Sequence, residues 1–208
     1  MTSGLTIGEQ ALIAGHPALD FVNSIEFRNQ TGERDHIGGY QAFVNWMART
    51  SLVPTPSARQ LCNTGRRRLL KSQGVWRNVE RFRDDTWLLF TERAQNRQLS
   101  VSRLRRVEEL LCEAHQYRRL RAVGGECRWT WIDSDLRYPL WAIVESAVDL
   151  LTSERIRGLR ICANPPCDWL FLDESRNGLR RWCEMRTCGN LAKVRRYRAG
   201  RRHGRIPA

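Results

Sequence analysis

Apolar positions recur at helical spacing along most of the chain. Tyr40, Phe43, Trp46 and Met47 share one face of an amphipathic helix that follows the Gly38-Gly39 break. Pro54 and Pro56 close that segment. Leu19, Val22 and Phe27 fit a helix running from His16-Pro17 to Phe27. Leu69, Leu70, Val75, Trp76, Val79 and Phe82 are less regular, and Gly74 interrupts them. Leu104, Val107, Leu110, Leu111 and His115 line one side of a long helix from Val101 to Leu120. Leu140 to Leu151 predicts a further apolar helix.

The period changes to two at Cys127-Arg-Trp-Thr-Trp-Ile132, which predicts a short strand. Its partner is expected around Arg119–Val123, across a Gly124-Gly125 turn. Near the C-terminus, Arg160-Ile-Cys162 and Trp169-Leu-Phe-Leu172 read as the strands of a second hairpin. Asp173 to Gly178 is a polar turn, and Asn190 to Arg202 reads as a helix. The expected fold is mainly α with minor β (α+β). A helical N-terminal domain with a short β-hairpin, residues 1–152, precedes a small C-terminal module, residues 153–208.

Composition adds one strong asymmetry. The 208 residues carry 35 Lys and Arg against 22 Asp and Glu, a net charge of +13. Residues 151–208 hold 14 of the bases and five of the acids, so +9 lies in the last 58 positions. Only Lys71 and Lys193 are lysines; the other 33 bases are arginine, the better bidentate ligand for phosphate. A strongly basic end on a mildly basic body suits a nucleic-acid partner. The first ten residues show neither a basic n-region nor an apolar run, and no apolar stretch nears the roughly 18 residues of a spanning helix. A cytoplasmic protein with no membrane partner is therefore expected.

In a reducing compartment, cysteine spacing is better read as metal ligation than as a disulfide framework. Cys62, Cys112 and Cys127 are scattered, but Cys162-x4-Cys167 and Cys183-x4-Cys188 form two close pairs separated by fifteen residues. Two such pairs supply the four thiolates of one tetrahedral structural zinc ion. Asn164-Pro165 favours a tight turn inside the first pair. The alternatives are four ordinary buried cysteines or a redox thiol. The latter lacks a CxxC and a neighbouring histidine. A hairpin knuckle followed by a helix after the second pair makes a treble-clef-like zinc finger. Four thiolates leave no open position, so the metal is expected to be structural.

The final helix is predicted to turn a narrow stripe of Leu191, Val194 and Tyr197 onto the zinc knuckle, leaving a basic outer side. The candidate nucleic-acid contacts are Arg176, Arg180, Arg181, Lys193, Arg195, Arg196, Arg198, Arg201 and Arg202. A solvated charged helix is the bland alternative. A membrane-surface helix is disfavoured because the apolar face is narrow.

The segment Cys162-Ala-Asn-Pro-Pro-Cys-Asp-Trp-Leu-Phe-Leu-Asp-Glu-Ser-Arg-Asn-Gly-Leu-Arg-Arg-Trp-Cys-Glu-Met-Arg-Thr-Cys-Gly-Asn190 resembles the CGNR zinc-finger family of bacterial proteins. One departure stands out: the family is named for Cys-Gly-Asn-Arg, and here Leu191 follows Cys188-Gly-Asn190. Gly15-His-Pro-Ala-Leu-Asp-Phe-Val-Asn-Ser24 is similar to a signature of the ABATE domain, which commonly precedes this finger. The resemblance implies a transcriptional regulator whose first domain senses a ligand or stress.

Asp20, Asn23, Trp129 and Trp131 are candidates for a small-molecule effector pocket. The plainer reading of Asp20 and Asn23 is that they hydrogen-bond backbone or an arginine. Trp46, Trp76, Trp87 and Trp141 are expected in the core, and Trp169 and Trp182 beside the metal. The leading function is DNA-binding regulation, accompanied by an effector and a homodimer as further expected partners. RNA or ribosome binding would use the same charge. A metal-dependent nuclease is disfavoured because no histidine lies between Cys162 and Arg202, so no enzyme activity is expected.

Overall fold

The computed structural model describes residues 11–203 except Asn29 and Pro166, with backbone alone for 200–203. The order of elements is α1 (Pro17–Val22), β1 (Ile25–Glu26), β2 (Arg34–Asp35), α2 (Tyr40–Arg49), α3 (Thr55–Arg67), α4 (Leu69–Ala94) and α5 (Val101–Gln116). There follow β3 (Arg118–Val123), β4 (Glu126–Trp131), α6 (Tyr138–Thr152), β5 (Leu159–Ile161), β6 (Leu170–Leu172) and α7 (Asn190–His203). The strands form three antiparallel pairs, β1–β2, β3–β4 and β5–β6.

Helix α6 is the centre of the body. Tyr138, Pro139, Leu140, Trp141, Ala142, Ile143 and Val144 are consecutive and all buried, as expected for a helix that is apolar all round. Helix α1 packs beside it through Leu19, Phe21 and Val22, none of them exposed. Phe21 gathers Phe43 of α2, Trp46 of α2 and Phe82 of α4 at ring distances of 5.8, 5.9 and 6.0 Å. Trp46 and Trp141 are core residues as expected, and Trp76 and Trp87 pack against the core from its edge.

Three elements differ from the sequence pattern. Helix α1 stops at Val22, not at Phe27. His16 caps its start, accepting the Ala18 N–H at 3.2 Å, and Pro17 takes the first helical position. Asn23 then leaves the helix to bond elsewhere, and Phe27 adopts a left-handed backbone at φ +54°. Helix α4 runs through Gly74 unbroken. A mid-helix glycine costs only about 1 kcal/mol, and the buried Val75, Val79, Phe82, Leu89 and Phe90 outweigh it. Helix α5 ends at Gln116, so Leu120 belongs to β3. Tyr117 stacks on Trp141 at 4.2 Å and its carbonyl accepts the Ile132 N–H at 3.1 Å, which ends the helix four residues early and starts the hairpin at Arg118.

Helices α2 and α3 approach very closely. A Cβ on Gly65 would lie 2.8 Å from the Tyr40 ring, so only glycine fits there. Tyr40 in turn donates its hydroxyl to the Leu136 carbonyl at 2.9 Å.

The β5–β6 hairpin joins the C-terminal module to this body. Alternate side chains of a strand point to opposite faces. Leu170 and Leu172 enter the main core with Leu159, while Trp169 and Phe171 belong to a second buried cluster with the cysteines. The Leu172 N–H donates to the Ala14 carbonyl at 2.9 Å, which extends the contact to the segment before α1.

Candidate metal centre and nucleic-acid interface

The knuckle between β5 and β6 is closed by backbone. The Cys162 N–H donates to Trp169 O at 2.9 Å, and the Cys167 N–H to Asn164 O at 2.7 Å. The Ala163 N–H reaches Arg181 O at 2.8 Å, drawing the second cysteine pair toward the first. Cys183 follows this contact, and Cys188 lies in a wide helical turn, Met185–Gly189, that leads into α7. A Cβ on Gly189 would sit 2.5 Å from Met185 Sδ, so a larger residue there would displace the half-exposed Met185 side chain.

The four sulfurs of Cys162, Cys167, Cys183 and Cys188 lie within 4.8 Å of one another. Cys167 and Cys183 are 3.8 Å apart and Cys183 and Cys188 3.6 Å. Sulfur at about 2.3 Å around a tetrahedral zinc gives sulfur separations of roughly 3.8 Å, so the donor set fits one zinc ion. Protonation within the cluster is uneven. Hydrogen bonds from Cys167, Cys183 and Cys188 hold the Cys162 thiol well below its usual range. Cys162 foremost pushes the thiols of Cys167 and Cys183 upward. The shifts come from four sulfurs held in mutual contact; a divalent ion would stabilise all four as thiolates.

Asn164, seen in the sequence only as a turn former, also supports the ligands. It is buried, donates Nδ2 to Cys188 Sγ at 3.3 Å, and accepts from Arg195 Nη1 at 2.5 Å. Such second contacts fix ligand orientation and charge. Trp169 is buried in the cysteine cluster and Trp182 packs against it.

The basic residues divide into two groups. Arg180 is fixed in the finger: its guanidinium donates to the carbonyls of Trp182 at 2.9 Å and of Cys183, and lies 4.6 Å from the Phe171 ring. Its guanidinium is thus engaged with the finger's own backbone. Arg195 is partly engaged through Asn164. Arg176, Arg181, Lys193, Arg196 and Arg198 are exposed. The side chains of Arg201 and Arg202 lie outside the described residues.

The stripe on α7 does not cover the knuckle. Leu191 is 50% exposed, Val194 45% and Tyr197 65%. Phe171, Trp169 and Ile13 pack around the cysteines, and α7 is held by the turn before it and by the bond from Arg195 to Asn164, then extends outward.

The proposed set of Asp20, Asn23, Trp129 and Trp131 does not assemble into a pocket. Asp20 Oδ1 accepts the N–H groups of Ile13 and Ala14, each at 3.0 Å. Asn23 is hydrogen-bonded to Leu170 of β6. Trp129 is 60% exposed on the hairpin, while Trp131 packs on Trp141 at 6.2 Å. Arg118 lies over both tryptophan rings, at 5.3 and 5.2 Å, and occupies the face they share. Asp20 and Asn23 thus follow the plainer reading.

The sequence reading missed the arginine at the heart of the body. Arg83 of α4, 2% exposed, donates to both oxygens of Asp35 at 2.9 and 2.6 Å and to Ser24 Oγ at 2.9 Å. Burial of such a charge requires a partner of opposite sign, which Asp35 supplies, while Arg83 Nε is buried without a hydrogen bond. No helix among the described residues is long and apolar enough to cross a membrane.

No curated protein matches the chain. The CGNR zinc finger model matches residues 158–202 and covers all four cysteines. The ABATE model, described as "Putative stress-induced transcription regulator", matches residues 15–154, two-thirds of the chain. The chain belongs to the ABATE family and carries a CGNR zinc finger at its C-terminal end.

Proposed function

We propose that the protein is a transcription regulator that binds duplex DNA through its zinc finger and is not an enzyme. The observation that carries this reading is the outward course of α7 from the cysteine cluster, with Lys193, Arg196 and Arg198 exposed along it. A helix anchored at one end by a metal knuckle and basic along its free length suits contact with a phosphate backbone or a groove. Zinc, held by four thiolates, would set the direction of that helix; with its coordination sphere filled, the proposed role is structural. In this reading, residues 1–152 form the regulatory body and residues 153–208 the contact module.

The test is a mobility-shift titration of zinc-loaded protein against random duplex DNA, single-stranded DNA and structured RNA at two salt concentrations. The expected result is a preference for duplex that is lost when zinc is stripped. Affinity should fall with salt at a slope set by roughly five to eight neutralised phosphates. Equal affinity for all three nucleic acids, or a preference for RNA, would overturn the duplex reading.

A further inference from the structure

Helix α4 keeps a glycine that packing does not explain. At Gly65 of α3 a Cβ would strike the Tyr40 ring. At Gly74 the one atom within 4 Å of a Cβ, beyond the helix's own backbone and the adjacent residues, is Arg77 Nη2 at 3.9 Å. A side chain would fit there, and in mid-helix almost any side chain except proline favours the helix more than glycine does. What glycine preserves is open space. Gly74 lines a cleft of about 580 Å³ between the first half of α4 and the loop 132–137 that leads into α6. Val75, Ile132 and Leu136 give this cleft an apolar wall. Its volume lies in the range of small-molecule sites.

The rim is basic. Arg68, Lys71 and Arg137 line the cleft, against Asp135 alone among the carboxylates. Asp135 and Arg137 neutralise each other. Asp135 accepts from Arg137 Nε at 3.0 Å, from Nη2 at 2.8 Å and from the Arg137 backbone N–H at 2.8 Å. The third nitrogen, Arg137 Nη1, donates to Glu113 at 2.9 Å, and Glu113 does not line the cleft. Arg68 and Lys71 are exposed and form no ion pair among the described residues; Lys71 acts on Asp135 through space, without a bond. The first turn of α4 holds no acidic residue and no side-chain cap, so the positive end of the helix dipole adds to the same charge.

Two cations without a bonded partner beside an apolar wall select for a molecule that is anionic at one end and apolar at the other. We propose that the cleft binds a small organic anion, an aryl- or alkylcarboxylate, with its carboxylate between Arg68 and Lys71 and its apolar part over Gly74, against Val75, Ile132 and Leu136. Arg68 offers paired N–H donors to the two carboxylate oxygens, and Lys71 a compact charge. Gly74 leaves room for the apolar part, since a side chain at that position would stand in the space it takes.

The experiment uses the full-length, zinc-loaded protein without nucleic acid, so its outcome does not depend on the DNA reading. Calorimetric titrations with phenylbutyrate, phenylbutanol and phenylbutylamine compare an anion, a neutral molecule and a cation on one apolar frame. The carboxylate is expected to bind about tenfold more tightly than the alcohol, and the amine weakest. Gly74→Leu should weaken the carboxylate about tenfold or more while the melting temperature rises and zinc stays at one per chain. Lys71→Glu changes an exposed position and leaves the helix interior untouched; it should place the amine ahead of the carboxylate. Equal affinities for the three compounds would overturn the proposal. So would no carboxylate binding at millimolar concentration, or a carboxylate affinity that either variant leaves unchanged with zinc still bound, which would place the anion elsewhere on this basic chain.

Discussion

Asn23 and Leu170, 147 residues apart, exchange two hydrogen bonds: Asn23 Nδ2 donates to the Leu170 carbonyl at 2.8 Å, and the Leu170 N–H donates to Asn23 Oδ1 at 2.9 Å. The side-chain amide thus occupies the edge of β6 that β5 leaves open, as a neighbouring strand would. Both residues are buried, so neither group has water as a substitute. Asn23→Ala should lower stability by about 2–3 kcal/mol, since it strands a buried donor and a buried acceptor. Asn23→Asp keeps the acceptor, loses the donor and sets a carboxylate against a carbonyl, so it should be at least as damaging. Urea denaturation measures the loss, and amide exchange at Leu170 should accelerate in both variants.

Cys167→Ser removes one of four zinc ligands whose combined binding contributes on the order of 10 kcal/mol of folding energy. The damage should be bounded. Leu159, Leu170 and Leu172 are anchored in the main core, independently of the metal. Zinc content should fall from one per chain, and the far-ultraviolet circular dichroism should lose about the signal of the 14-residue α7. The remaining helices should unfold at nearly the original temperature. Retained zinc, or collapse of the whole body, would contradict this division.

The metal site was legible because cysteine is scarce and its spacing is dictated by coordination chemistry. The α2 face and the β3–β4 hairpin were legible because their apolar periods are clean. What the pattern hid came from contacts distant in sequence. Arg83 looks like one more solvated arginine until Asp35 and Ser24, some 50 residues earlier, meet it. Asn23 ends α1 because Leu170 is there to receive it, and no window around residue 23 contains Leu170. The α7 stripe misled for a similar reason. Leu191, Val194 and Tyr197 have helical spacing, but the cysteines pack against Phe171, Trp169 and Ile13, and the stripe stays exposed.

Asp20 gives the body a pH dependence of unusual sign. Burial pushes its carboxyl up from 3.8 to about 6, against the lowering influence of the Ala14 and Ile13 N–H groups. Between those values the folded protein holds a proton that the unfolded chain has released. Stability contributed by this group is therefore complete below about pH 4, falls as pH rises to 6, and is level above. The difference corresponds to about 3 kcal/mol. In Asp20→Asn the amide oxygen still accepts both N–H groups, and nothing titrates. Urea midpoints at pH 4.5 and 6.5 should therefore change less in Asp20→Asn than in the wild type. Parallel changes in the two proteins would show that Asp20 is not the group responsible.

Arg180 and Arg196 should separate cleanly when each is replaced by alanine. Arg180 bonds the carbonyls of Trp182 and Cys183 and covers Phe171, so its loss removes charged hydrogen bonds inside the finger. A cost of about 2 kcal/mol is expected, with a lower melting temperature. Arg196 is exposed on α7, and its loss should leave stability within about 0.5 kcal/mol of wild type. On DNA the order inverts. Arg196→Ala should reduce the slope of log affinity against log salt by about one, as expected for a lost phosphate contact. Arg180→Ala, measured well below its melting temperature, should keep the wild-type slope. Fluorescence anisotropy on a labelled duplex across a salt series gives both slopes. If Arg180→Ala lowers the slope while its melting temperature stays unchanged, that guanidinium faces phosphate and not the finger's own carbonyls.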